Sequence, residues 1–67
     1  MFHINFKRLR LRCECSIEEV AERLGLSSRT VLSWETGEAL PSMEYLPILS
    51  ELFTCEIKEF FAPSDKG

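Results

Sequence analysis

Apolar residues recur along this chain three and four apart, in short blocks broken by serine, glycine and proline, which is a helical pattern throughout. Phe2, Phe6, Leu9 and Cys13 share one face of a first predicted helix over residues 2–12, with Lys7, Arg8, Arg10 and Arg12 spread over the rest. Ile4 and Leu11, seven apart, form a second apolar strip on that helix, and the C-terminal tail is the segment expected to cover it. Glu14 falls where the chain must turn sharply, a place where glycine would be the easy choice.

The next apolar set, Val20, Ala21, Leu24, Leu26, Val31 and Trp34, lies on one side of two short helical segments hinged at Gly25. Residues 16–37 therefore read as a helix-turn-helix. Ala21 is small where the helices touch, Gly25 can take φ > 0 at the turn, and Val31 is β-branched in the second helix. Ser16 with Glu19 makes a capping box for the first segment, and Ser27 is placed to cap the second. This arrangement turns Val31 and Trp34 inward and leaves Ser28, Arg29, Leu32 and Ser33 facing out.

Gly37 to Pro41 reads as a loop, after which Ser42 is expected to cap a fourth helix running to about residue 53, its inward face Met43, Leu46, Leu49, Ser50 and Phe53. Pro47 lies inside that span and would remove one backbone bond at up to ~3 kcal/mol, so the helix either bends there or begins later. A last helical segment over residues 56–61 carries Ile57, Phe60 and Phe61, and residues 62–67 are expected to fray. The fold class is all-α: five short helices around one core, in a single domain over residues 1–67.

Composition narrows the function. At 67 residues the chain can bury only about 60% of its unfolded surface, so stability is marginal. No apolar run approaches the ~20 residues of a membrane span or the pattern of a secretion signal, so a cytoplasmic protein with no membrane partner is expected. The net charge of −3 argues mildly against nucleic acid, but residues 1–12 carry +4 and residues 13–67 carry −7, so the average hides a gradient. Cys13, Cys15 and Cys55 include no Cys-x-x-Cys pair, and His3 is the single histidine, so no metal site is expected. Cys15 and Cys55 read instead as small buried apolar residues. Without paired carboxylates, a nucleophile beside a base, or a phosphate-cradling glycine loop, the chain is not expected to be an enzyme or to carry a cofactor.

Leu9-Arg10, then Ser16 with Glu18 to Ala21, then Leu24 to Ser27, then Trp34-Glu35 and Gly37, then Pro41-Ser42 stand at the spacings of the phage repressor/Cro (XRE-type) family of DNA-binding domains, which the chain resembles over roughly residues 6–61. The resemblance implies a lambda-repressor-like domain with a recognition helix over residues 27–36, lying in the major groove of double-stranded DNA. It also implies that Arg10 pairs with Glu35. Departures fall on the DNA side: Ile17 stands where the family usually has glutamine, Glu14 replaces the usual turn glycine, and Glu38 is an acid in a loop that usually carries lysine or arginine.

The expected DNA-contacting set is Ser27, Ser28, Arg29, Leu32, Ser33 and Thr36, with Arg10, Ser16 and Ile17 beside it. Arg29 is shaped to hold guanine O6 and N7, and Leu32 can meet a thymine methyl or mark a protein contact. Trp34 reads as core rather than as a stacking platform. The basic run from Lys7 to Arg12 is either a phosphate face or a solvated one. Ile57, Phe60 and Phe61 are more apolar surface than a short terminal helix can bury, so one ring is expected in the core and the rest in a homodimer interface. The expected function is a sequence-specific transcriptional regulator, most simply a repressor; the alternative is a protein-interaction or antitoxin-like module that has lost DNA affinity.

Overall fold

A computed structural model describes residues 2–63. Four α-helices, α1 (Phe2–Arg12), α2 (Ile17–Leu24), α3 (Ser28–Thr36) and α4 (Leu46–Phe53), are joined by two short 3₁₀ turns, Met43–Tyr45 before α4 and Ile57–Phe60 after it. The fold is all-α as expected, but two of the expected helical stretches are shorter and tighter than a five-helix count implied. The tail beyond residue 63 lies outside the described residues.

Local chemistry explains the boundaries of α2 and α3. Ser16 Oγ accepts from the Glu19 amide while Glu19 Oε1 accepts from the Ser16 amide, a complete capping box. Ser27 Oγ accepts from the Thr30 amide at the start of α3. Gly25 closes α2 in the left-handed region at φ 73°, and the Leu26 amide returns to the Ala21 carbonyl. Gly37 ends α3 the same way at φ 88°, and here a second constraint applies: a Cβ would stand 3.3 Å from the His3 ring, so α1 closes over the end of α3.

Pro47 is the second residue of α4, where a missing N–H leaves no bond unmade, so the helix begins late instead of bending. Met43 consequently leaves the inward face and stands 81% exposed, and Ser42 makes no side-chain cap. Two non-glycine residues take positive φ, Glu14 at 58° and Thr54 at 54°. For β-branched Thr54 the left-handed region is especially unfavourable. Thr54→Gly is expected to raise unfolding stability by about 0.5–1 kcal/mol, with a smaller gain for Glu14→Gly, measured by chemical denaturation.

The core is built from Phe2, Phe6 and Leu9 of α1, Val20 and Ala21 of α2, Val31 and Trp34 of α3, Leu46, Leu49 and Phe53 of α4, and Phe60. Phe6 is its centre, with Phe2, Phe53, Phe60 and Trp34 rings at centroid distances of 5.7, 5.4, 6.3 and 6.1 Å. Trp34 is core, as its spacing from Val31 indicated. Phe60 is fully buried, so it offers no surface to a second copy, whereas Phe61 remains 53% and Ile57 38% exposed.

Among the described residues nothing fully covers the outer strip of α1: Ile4 and Leu11 stand 45% and 54% exposed. The C-terminal segment is drawn elsewhere by Asn5, a fully buried residue whose Nδ2 donates to the carbonyls of Phe60 (3.0 Å) and Ala62 (2.7 Å). Ala62 is therefore tied to α1 rather than frayed. Asn5 Oδ1 in turn accepts from Arg8, so the buried amide is satisfied on both sides.

Candidate nucleic-acid interface

Helix α3 is held from behind by one polar cluster. Both Nε and Nη2 of Arg10 donate to the Glu35 carboxylate, Nη2 at 3.1 Å, and Nη1 donates to the Cys15 carbonyl at 2.7 Å. The side chains of this pair are only 11% and 8% exposed. A bidentate fork of this kind fixes direction as well as distance, so α1, the turn before α2 and the end of α3 are set relative to one another.

In front of the cluster, the start of α2 and the start of α3 flank an open groove of about 570 Å³ lined by Arg10, Ser16, Ile17, Glu18, Ser28, Arg29 and Leu32. Six of the nine residues expected at the DNA face thus meet in one place. On the other flank of α3 a second groove of about 650 Å³ runs between Ser33, Thr36 and the loop through Glu38, Leu40 and Pro41, floored by Trp34 and Tyr45. Arg29 and Leu32 border both grooves, which makes them the crest of α3.

Ser27, the remaining member of the expected set, lines neither groove and instead caps the helix. Ile17 is half-buried and packs against the core while its remaining surface lines the first groove. Ser33 is half-buried rather than outward, its hydroxyl donating to the Thr30 carbonyl at 2.6 Å.

The electrostatics of this face are nearly balanced. Arg10 is neutralised by Glu35, leaving Arg29 against Glu18 in one groove and against Glu38 in the other. Two other bases of α1 have partners away from this face: Arg8 donates to Asn5, and Arg12 lies 4.0 Å from Glu59. The cysteines sit behind the site, where burial chiefly pushes the Cys15 and Cys55 thiols up and Cys13 Sγ donates to the Phe53 carbonyl. Three or more metal-ligating side chains do not converge anywhere among the described residues, and none of the described helices is long and apolar enough to cross a membrane.

Asn5 was not legible as a structural anchor in the sequence, where it looked like one more polar position on a basic helix. The signal that could have found it is its place between Phe2, Phe6 and Leu9, next to the buried face.

Comparison with known proteins agrees with this geometry. A family model described as Helix-turn-helix matches residues 6–60. The HTH-type transcriptional activator BcrR of Enterococcus faecalis is 31% identical over 61 residues, which is 91% of this chain and 30% of that protein. The chain thus spans under a third of the length of this curated relative. No solved structure gives a significant match. With the capped α2, the left-handed Gly25 turn and the Arg10–Glu35 lock all inside the matched region, the chain belongs to the helix-turn-helix family of the phage repressor/Cro (XRE) type.

Proposed function

We propose that the chain is a sequence-specific DNA-binding regulator of transcription that lays α3 in the major groove of double-stranded DNA. The observation that carries this reading is the crest of α3, where Arg29 stands exposed while Arg10 and Glu35 brace the helix from behind. Arg10 is a positioning residue in this reading, since three of its donors are spent inside the molecule. Ser28 lies on the flank for contact with phosphates or bases, and Ser16 and Thr36, whose hydroxyls are engaged within the fold, lie toward the phosphates, with Ser27 and Ser33 shaping the helix. Ile17 closes the groove floor.

Selection of duplexes from a random pool, at low and then near-physiological salt, tests the proposal. Enrichment of a symmetric motif supports it. Arg29→Ala is then expected to weaken binding to that site by about 1–3 kcal/mol and to relax preference at one base pair per half-site. Equal losses on selected and random DNA would remove Arg29 from base reading.

Occupancy of the site, and hence repression from the cytoplasm, is the regulatory outcome this reading assigns. The relative carries activation in its name. A reporter with the selected site overlapping a promoter separates the two. The second reading, a protein-interaction module, is favoured by Ile17 in one groove and Glu38 in the other, and absence of any enriched duplex at low salt would count against the first reading.

The dimer belongs to the same proposal. Ile57 and Phe61 are exposed apolar residues at the C-terminal end, Phe61 resting on Phe2 at a 5.5 Å centroid distance. Two copies joined there would present two α3 helices to half-sites about one DNA turn apart. Phe61→Glu is expected to turn a dimer into a monomer in sedimentation at high micromolar concentration; a wild type that is already monomeric there would exclude this interface.

A further inference from the structure

The hydrogen bonds of α3 determine which of its side chains are free to read a base. Ser27 Oγ is taken by the Thr30 amide and lies 3.1 Å from Thr30 Oγ1. Ser33 donates to the Thr30 carbonyl, and Thr36 donates to the Ser33 carbonyl. Four of the five hydroxyls on this polar segment are thus engaged with the helix itself. What remains on the crest is Arg29, the small hydroxyl of Ser28, and Leu32, an apolar side chain 46% exposed and bordering both grooves.

An apolar crest residue has one complement on the floor of the major groove. The 5-methyl of thymine is the apolar group that base edges present there, and it is absent from unmodified cytosine. Leu32 follows Arg29 by three residues, which advances it about 4.5 Å along the helix and keeps it on the same side. That advance corresponds to roughly one to two base steps.

Resting on the DNA-binding reading above, we infer that Leu32 is a specificity-determining residue that recognises a pyrimidine 5-methyl group, one or two steps from the guanine held by Arg29. The methyl sits against the Leu32 side chain and loses its water, while Arg29 supplies the directional bonds. Neither residue needs the engaged hydroxyls. The protein then discriminates thymine from cytosine without a hydrogen bond to either.

Deoxyuridine tests this without altering the protein, because it lacks the methyl and keeps the pairing and hydrogen-bonding groups of thymine. In the selected site, each thymine near the guanine is replaced singly by deoxyuridine, and binding of the wild type and Leu32→Ala is measured by fluorescence anisotropy. One replacement is expected to weaken wild-type binding about fourfold, the worth of one buried methyl-sized group, and to leave Leu32→Ala binding unchanged. Restoring the methyl as 5-methylcytosine paired with guanine at that position should recover part of the loss relative to cytosine. Equal wild-type binding to thymine and deoxyuridine duplexes overturns the inference while leaving sequence-specific DNA binding in place, as does a Leu32→Ala protein that still discriminates. A protein that prefers no duplex over random DNA overturns the underlying reading instead.

Discussion

Removing the Glu35 carboxylate is expected to destabilise the domain by about 3–5 kcal/mol, far more than an exposed ion pair would contribute. The reason is what it leaves behind. Arg10 would keep its guanidinium in a nearly closed site, with Nη1 still on the Cys15 carbonyl and two donors unmet. Arg10→Ala should cost a similar amount, because Glu35 then loses both charge-assisted bonds and the Cys15 carbonyl loses its donor. The double variant should be less damaging than the sum of the two, and a double-mutant cycle on chemical unfolding measures the difference. Coupling below roughly 0.5 kcal/mol would mean that water screens the pair. Because the bond reaches from α1 to the end of α3, the same variants should also weaken cognate DNA binding at temperatures where they remain folded.

The other large effect is in the core. Phe6→Ala should cost about 3–5 kcal/mol, enough to unfold much of the population of so small a domain at 37 °C. Phe6 is fully buried and meets rings from α3, α4 and the C-terminal turn, so its removal leaves a void that no single element can collapse into. Truncating Phe61 to alanine should cost far less, since half of that ring already faces water. Thermal unfolding followed by circular dichroism checks both. If Phe61→Ala proved as damaging as Phe6→Ala, the division of the two terminal rings between core and surface would be wrong.

Much of the site is legible in the amino-acid sequence because its signals are local. A capping box needs only Ser16 and Glu19 three apart, a left-handed turn needs only Gly25, and inward placement of Val31 and Trp34 follows from helical spacing. The Arg10–Glu35 pair follows from family resemblance rather than from spacing, because 25 residues of chain separate the partners. The late start of α4 is one of two outcomes that Pro47 allows. Its choice follows from how cheaply proline sits in a first turn, and it carries Met43 out of the expected inward face.

The sequence by itself determined the helical class, the motif over residues 16–37, its caps and the outward placement of Arg29 and Leu32, though not that of Ser33, since each depends on neighbours within one or two turns. Only the tertiary structure decided which ring of Phe60 and Phe61 is core, where the C-terminal segment runs, and which hydroxyls of α3 are free. Those outcomes depend on contacts between distant segments: Asn5 gathering the carbonyls of Phe60 and Ala62, and α3 flanked by the start of α2 on one side and by the loop through Pro41 on the other, which leaves a groove on each side of Arg29 and Leu32. A period of 3.6 residues says which face of a helix is apolar, but it carries no information about which distant segment will cover that face, and so Ile4 and Leu11 stayed exposed while a buried asparagine tied down the tail.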